Sequence, residues 1–297
     1  MGFVTDGEMY SILTALTWAC AVVMFRRAGD RMPPVALNLF KGLVGLVLSL
    51  LTMVALGVPF LPEGVTLADT ALLFVSGLVG IGIADTLFFV ALNRLGAARL
   101  AVVDCSYSPF VVLASWIYLG EPISAWLGPA VVLMGAAIVI GAWEPGAFDA
   151  AAWKREKAGI ALATLSVLLM AVAIVGVKPI LDRTDVWWAL VVRLSGGVAF
   201  LGVQGALPRH RASVVRALTP GPSWRIAIPA AFVGTYVAIF LWTLGMKLTY
   251  TNTASVLNQL SNVFILPLAA FFLHERLGPR QVAAILLGFT AGILAVL

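Results

Sequence analysis

The sequence has little charge. Asp, Glu, Lys and Arg make up 11% of its 297 residues, whereas hydrophobic residues make up 61%. Because soluble domains carry about 25% charged residues, this composition excludes a soluble globular protein. The two cysteines, Cys20 and Cys105, lie far apart in apolar runs, which excludes a disulfide framework and a cysteine-based metal site.

Histidines and phosphate-binding motifs are also scarce. His210 and His274 lie near no Ser/Asp set and form no metal-spaced pair, so an integral-membrane enzyme is a weak alternative. We predict no catalytic residues, no cofactor and no metal. The chain has no Walker-type motif, which argues against direct use of ATP. Its basic residues are dispersed over loops without a continuous stripe, so no nucleic-acid partner is expected.

Long apolar runs fill the chain instead. A helix that crosses a membrane needs about 20 apolar residues. The chain contains ten such runs, at 9–25, 35–56, 69–92, 97–119, 125–143, 158–181, 186–207, 226–248, 253–273 and 282–297. We therefore predict an all-α integral membrane protein with ten transmembrane helices. Asp6 and Glu8 precede the first run where a signal peptide would have basic residues, so this run is predicted to be a retained span.

The second half of the chain echoes the first. Lys41 pairs with Arg193 at an offset of 152 residues, and Asp104 pairs with Asn258 at an offset of 154. The polar stretch 144–157 separates the halves, so we predict two five-helix repeats, at 1–150 and 151–297. Because each repeat has an odd number of helices, the second enters the membrane from the opposite side, as in many secondary transporters. Chance alignment of two hydrophobic segments is the alternative, and the match between rare charged residues argues against it.

This arrangement resembles the EamA-type drug/metabolite transporters over essentially the whole chain. The shared features are a basic residue inside the second helix of each half, a tryptophan in the first helix, and a proline and then a glutamate at the end of the fourth: Lys41, Arg193, Trp18, Pro109 and Glu121. The second half departs from the pattern, because Met170 stands where Trp18 would repeat. The resemblance implies export of small metabolites, amino acids or drugs by alternating access.

Four charged residues lie well inside apolar runs: Lys41, Asp85, Asp104 and Arg193. A charge near the bilayer centre costs about 2.5–3.5 kcal/mol, so each is expected to face the bundle interior or a wet cavity. Two cations and two carboxylates sum to zero and could neutralise one another across a cavity that holds no substrate. A pair of salt bridges that only fix helix packing is the alternative.

Polar residues repeat on the fourth and ninth predicted helices. Two matching sets have i, i+3, i+4 spacing: Asp104, Tyr107 and Ser108, and then Asn258, Ser261 and Asn262. On a continuous helix this spacing forms one stripe. We predict that the two stripes meet near the pseudo-two-fold axis, with Asp104 facing Asn258, and that they form the substrate-binding site with Lys41 and Arg193. Hydrogen bonding between helices is the alternative, and it is the favoured interpretation of the serines.

These residue types suit a substrate with unlike ends. Lys41 and Arg193 could receive a carboxylate or a phosphate, and Asp104 could receive an amine, so a zwitterion such as an amino acid fits. A cationic drug exchanged for protons, or a lipid headgroup moved by a flippase, uses the same residues and stays open. Asp85 has no charged counterpart in the second half and is the candidate for coupling to a proton.

Aromatic residues near these charges are candidate walls of the cavity. We single out Trp18, Phe88 and Trp242, whose rings could contact a cation. Packing or anchoring at the membrane interface is the alternative for each. Glu121 and Glu275 are interpreted as structural, solvated carboxylates near the N-terminus of the following helix.

Basic residues are distributed unequally over alternate loops. Fourteen lie on one side, and three lie on the other, namely Lys178, Arg183 and Lys247. The positive-inside rule therefore predicts a multi-pass protein of the cell (inner) membrane with both termini outside. The resemblance to ten-helix relatives suggests cytoplasmic termini, and we follow the charges. The predicted partners are a small-molecule substrate, the lipid bilayer and a proton as the candidate coupling ion.

Overall fold

The computed structural model describes residues 5–95, 100, 103–141, 156–273 and 278–297. Within these ranges the chain forms helices and no strand. The helices are α1 Asp6–Gly29, α2 Pro34–Ala55, α3 Leu67–Gly77, α4 Asp85–Leu95, α5 Tyr107–Leu119, α6 Leu127–Gly141, α7 Lys157–Val175, α8 Lys178–Arg183, α9 Val186–Ala206, α10 Pro208–Leu218, α11 Trp224–Ala231, α12 Ile239–Leu248, α13 Thr251–Asn258, α14 Leu260–Leu273 and α15 Pro279–Ala295.

The chain is a multi-pass membrane protein. Six helical segments of the described ranges are long and apolar enough to cross a membrane: Asp6–Gly29, Pro34–Ala55, Leu67–Leu92, Lys157–Arg183, Val186–Ala206 and Trp224–Leu248. Three apolar helices are shorter: Tyr107–Leu119, Leu127–Ile140 and Val282–Ala295. The apolar runs predicted at 35–56 and 186–207 coincide with α2 and α9 to within one residue.

A π-helical segment interrupts one membrane helix in each half of the chain. Residues Leu78–Ala84 join α3 to α4, and residues Phe232–Ala238 join α11 to α12. The two segments are equally long and lie 154 residues apart, which is the offset that the sequence repeat shows in this part of the chain. Since π-helical turns are rare and often mark functional sites, their recurrence at matched positions supports a structural repeat.

In each half, a glycine packs closely against a side chain of the other half, and the repeat relates the two contacts. A Cβ atom at Gly45 would lie 2.5 Å from Thr235 Cγ2, and one at Gly197 would lie 2.8 Å from Ile81 Cβ. Gly45 corresponds to Gly197 in the repeat, and Ile81 corresponds to Thr235. The two contacts are therefore formed by corresponding residues of the two repeats.

Whole helices pack with the same reciprocity. Helix α2 packs against α9, and α6 packs against α15. Helix α1 contacts α12 and α14 of the second half, while α7 contacts α4 and α5 of the first half. These helices and their counterparts therefore contact equivalent neighbours, which is the pattern expected of two repeats related by a pseudo-two-fold axis.

The predicted fourth and ninth helices both contain a turn. In the first half the turn is at Cys105 and Ser106, where the Ser106 amide donates to the Val103 carbonyl at 3.0 Å. In the second half it is at Gln259, whose amide donates to the Val256 carbonyl at 3.1 Å. Each bond spans three residues in place of the four of an α-helix, so the predicted continuous stripe from Asp104 to Ser108 is interrupted.

Candidate functional site

Lys41 and Asp85 form a buried ion pair. Lys41 lies on α2, and its fully buried ammonium Nζ is 2.7 Å from the Asp85 Oδ2 atom at the start of α4. The ammonium also lies 5.7 Å from the centre of the Phe89 ring, within the range of a cation–π contact. Of the two salt bridges considered as the packing alternative, this one is present.

Arg193 on α9 is 2% exposed and is held by different groups. Its Nε donates to the Ser76 hydroxyl at 3.2 Å, and that hydroxyl donates to the Ala173 carbonyl at 2.6 Å. The guanidinium lies 5.2 Å from the ring centre of Trp242. No carboxylate of the described ranges lies within 4.0 Å of it. A guanidinium has five N–H donors, so most of them remain available to a ligand.

Asp104 lies beside the turn of the ninth predicted helix. Its Oδ2 accepts from the Asn262 amide at 3.3 Å, and its backbone carbonyl accepts from the Gln259 amide at 2.7 Å. The Asn262 amide also donates to the Gln259 carbonyl oxygen Oε1 at 2.8 Å. In the part of the chain that the structure describes, no cation lies within 4.0 Å of the Asp104 carboxylate. The carboxylate is half-buried and carries no ion pair there.

Tyr107 connects the surroundings of Asp104 and Arg193. Its side chain lies beside Trp242 and within electrostatic reach of both the Asp104 carboxylate and the Arg193 guanidinium. Tyr107 and Trp242 also pack against the same group of core residues. Arg193 is in turn within electrostatic reach of Asp85. The structure thus pairs Lys41 with Asp85 and places Tyr107 within electrostatic reach of both Asp104 and Arg193.

The remaining polar residues of the two predicted stripes are placed differently. The Ser108 hydroxyl donates to the Ser255 carbonyl at 3.0 Å and so joins α5 to α13. Ser261 is buried. The amide oxygen of Asn258 is buried and has no hydrogen-bond partner in the described ranges. The amide that contacts Asp104 belongs to Asn262, whereas we had expected Asn258 to face it.

The three candidate aromatic residues have separate surroundings. Trp242 lies in the neighbourhood of Arg193, as described above. Phe88 packs with Leu92 and Ile160 around a core between α4 and α7, and the neighbouring Phe89 contacts Lys41 instead. Trp18 lies 6.4 Å from the Phe25 ring, between ring centres. Sequence spacing alone did not distinguish Phe88 from Phe89.

Glu121 is buried, which corrects our expectation of a solvated carboxylate. It follows Gly120, whose φ of 66° ends α5 in a conformation that glycine adopts readily. Its two carboxylate oxygens accept the backbone N–H groups of Thr251 and Asn252, at 2.8 and 3.0 Å. Glu121 therefore caps the N-terminus of α13 in the opposite half, where we had predicted the following helix. Glu275 lies outside the described residues.

These contacts leave one positive and one negative side chain without an opposite charge. Lys41 and Asp85 neutralise each other, whereas Arg193 and Asp104 do not form an ion pair within the described ranges. Charged groups in such a bundle are expensive unless they are paired or hydrated. The Arg193 guanidinium and the Asp104 carboxylate therefore each keep hydrogen-bonding positions for a group of opposite charge. In the same ranges no three His, Cys, Asp or Glu residues cluster as metal ligands.

Comparison with known proteins shows the family of the chain. The model of the EamA-like transporter family matches the chain twice, at residues 5–141 and 157–297. Protein PecM of Dickeya dadantii (strain 3937) is 27% identical over 228 residues, which cover 75% of this chain and 72% of PecM. A solved crystal structure superimposes with a TM-score of 0.80 at 16% identity, over 98% of this chain and 96% of the other. That last match concerns the fold alone.

Proposed function

The chain belongs to the EamA-like transporter family, and on that basis we propose that it is a secondary-active exporter of small zwitterionic metabolites, such as amino acids. The observation that carries this proposal is that, within the described ranges, Arg193 forms no ion pair with a carboxylate and Asp104 forms none with a cation, while Tyr107 lies within electrostatic reach of both. A substrate that supplies both missing charges would neutralise the site. An anion or a cation alone would leave one of them unpaired.

Arg193 is the group proposed to bind the substrate carboxylate. A guanidinium can hold both oxygens of a carboxylate in parallel hydrogen bonds, and such charge-assisted bonds are stronger than neutral ones. The Ser76 hydroxyl and the Trp242 ring fix the plane of the guanidinium before a ligand arrives. Preorganisation of this kind lowers the entropy lost on binding.

Asp104 is the group proposed to bind the substrate amine. Its single side-chain hydrogen bond, from Asn262, leaves acceptor positions on both carboxylate oxygens. Tyr107, within electrostatic reach of both charged groups, is proposed to offer its hydroxyl and its ring to the middle of the substrate. The buried, unpartnered oxygen of Asn258 is a further acceptor for an N–H group.

Transport is proposed to proceed by alternating access between two inverted five-helix halves that together cross the membrane ten times. The π-helical segments and the reciprocal glycine contacts lie on the helices that flank the site in both halves. Sites at the interface of inverted repeats are typical of such transporters. Asp85 is the proposed coupling carboxylate, because its protonation would release the Lys41 ammonium from its 2.7 Å pair.

Uptake into proteoliposomes tests the proposal with three forms of one amino acid. The parent zwitterion has both charges, its methyl ester lacks the carboxylate, and its N-acetyl derivative lacks the ammonium. We expect the wild type to transport the parent best, Arg193→Leu to lose selectivity between the parent and the ester, and Asp104→Asn to lose selectivity between the parent and the N-acetyl derivative. Arg31→Gln, an exposed arginine outside the site, serves as the matched control.

Two outcomes would overturn the assignment. Equal transport of the ester and the parent by the wild type would show a site for cations, as a cationic-drug antiporter has. Variants that retain the wild-type selectivity would remove Arg193 and Asp104 from the binding site. Thermal melting of each purified variant separates a folding defect from a binding defect, since an amino acid at 100 times its Kd stabilises a competent protein by about 2.7 kcal/mol.

A further inference from the structure

Helix α10 is an amphipathic helix between two membrane-spanning segments. It starts two residues after α9 ends, and α11 follows after a short connection. Val214 and Ala217 are buried on its inner face, and a Cβ atom on Gly205 of α9 would lie 3.1 Å from Val214 Cγ2. At its far end the Trp224 indole donates to the Ala217 carbonyl at 2.9 Å. The helix is thus docked onto the ends of the bundle.

The outer face of α10 combines apolar and basic side chains. Pro208, Ala212 and Val215 are exposed and follow the spacing of one helical stripe. On one flank of this stripe lie Arg209 and Arg216, seven residues apart, and Arg211 lies on the other flank; all three are exposed. An apolar strip between arginines is typical of helices that lie in the interface of a membrane.

The stretch of sequence that contains α10 has no acidic residue. The sequence contains no Asp or Glu from residue 186 to residue 274. Within the described ranges, none of the three arginines forms an ion pair. These arginines are not a shared feature of the repeat. The corresponding connection in the first half is residues 56–66, which lie 152 residues earlier and contain no Lys or Arg. The helix therefore carries three arginine charges that no ion pair of the described ranges neutralises.

A groove runs along the apolar strip. Its volume is about 600 Å³, and its lining residues are Ala206, Pro208, Arg211, Ala212 and Val215. Four of these five residues are apolar, and the fifth is an arginine at the edge. An acyl chain could occupy the apolar part while Arg211 contacts a phosphate at the groove entrance.

We propose that α10 and the adjoining end of α9 form a binding site for an anionic phospholipid. The acyl chain lies against the strip of Pro208, Ala212 and Val215, and the headgroup phosphate is held by Arg211 with Arg209 and Arg216 beside it. Positive charge on the helix complements the negative headgroup, and membrane-surface arginines attract anionic lipid by about 1 kcal/mol each. The proposal is independent of the transported substrate.

Native mass spectrometry of the full chain in detergent tests this site, with phosphatidylglycerol and phosphatidylcholine as probes. We expect the wild type to retain phosphatidylglycerol in preference to phosphatidylcholine. Arg211→Gln is expected to lower the affinity for phosphatidylglycerol about fivefold, and the triple Arg209→Gln/Arg211→Gln/Arg216→Gln variant to remove the preference. Arg31→Gln removes the same charge from another exposed position outside α10 and should leave the affinity unchanged.

A separate variant tests the contact with the acyl chain. Ala212→Asp places a carboxylate in the apolar strip and should weaken phosphatidylglycerol binding at least as much as Arg211→Gln does. The proposal is overturned if Arg31→Gln and Arg211→Gln have equal effects, because the attraction is then diffuse. It is also overturned if inorganic phosphate at the same concentration displaces the lipid, because the site then binds a free anion.

Discussion

The Lys41 ammonium of α2 lies 2.7 Å from the Asp85 carboxylate, and this pair has no equivalent in the second half. Arg193, the counterpart of Lys41, contacts Ser76 and Trp242 instead. The reason is in the sequence, because Ile239 stands where Asp85 would repeat. Two positions that the repeat relates by symmetry therefore carry one neutralised cation and one available cation.

Breaking the Lys41–Asp85 pair should destabilise the protein strongly. Lys41→Met leaves a mostly buried carboxylate without its partner and is expected to lower the free energy of unfolding by about 3–5 kcal/mol. The double variant Lys41→Met/Asp85→Leu should recover most of this loss, since no buried charge then remains. Chemical denaturation in detergent measures both.

A second ion pair provides the control for that comparison. Arg183 and Asp69 lie 2.5 Å apart, but Arg183 is 47% exposed, and without it the Asp69 carboxylate still accepts from the Thr66 N–H and hydroxyl groups. Arg183→Met should therefore cost no more than about 1 kcal/mol. Equal losses for Lys41→Met and Arg183→Met would contradict the burial argument.

The cap that Glu121 provides should contribute measurably to stability. Glu121→Ala leaves the N–H groups of Thr251 and Asn252 without an acceptor, and this should lower the free energy of unfolding by about 1–3 kcal/mol. Glu121→Gln keeps one acceptor oxygen and should lose less. Glu63→Ala removes an exposed glutamate and serves as the control in thermal melts. A Glu121→Ala protein that melts like Glu63→Ala would show that the cap is dispensable.

The glycine contacts should be equally intolerant of a methyl group in both halves. Gly45→Ala and Gly197→Ala each place a Cβ within 3.0 Å of a β-branched side chain, and overpacking of this kind costs about 1–3 kcal/mol. Gly202→Ala on α9 meets open space and should raise stability by about 0.5–1 kcal/mol, because alanine favours helix. Unequal losses at Gly45 and Gly197 would contradict their equivalence in denaturation experiments.

The orientation predicted from the loop charges can be read by cysteine labelling. Cys20 and Cys105 are first replaced by alanine, and single cysteines are then introduced at two exposed loop positions. Glu63→Cys should react with a membrane-impermeant maleimide in intact cells, whereas Arg31→Cys should react only after permeabilisation. The reverse pattern would place both termini in the cytoplasm.

The sequence predicted the apolar spans and the repeat better than it predicted the local contacts. The pairing of Lys41 with Asp85 agrees with the expectation that charges in apolar helices face the bundle interior, because exposure of a charge to lipid is energetically expensive. The turn at Cys105 and the one at Gln259 were missed, since apolar periodicity does not tell a three-residue hydrogen bond from a four-residue one.

Contacts between the two halves could not be predicted from the sequence, for a different reason. The partner of Glu121 lies 130 residues away in sequence, and the choice of Asn262 over Asn258 beside Asp104 depends on a turn between them. Helix α10 was missed because it is too polar and too short to register as an apolar run. In each case tertiary packing determines the contact. A single sequence does not show how its helices pack.

The two turns of α13 are tied to the first half at both ends. Glu121 holds its N-terminus, and Gln259, just past its C-terminus, donates to the Asp104 carbonyl. In the proposed rocking motion, α13 would move together with the first half, to which it is hydrogen-bonded. It would then change its position relative to the rest of the second half. Under the proposed alternating-access mechanism, the units that move would therefore differ from the two sequence repeats.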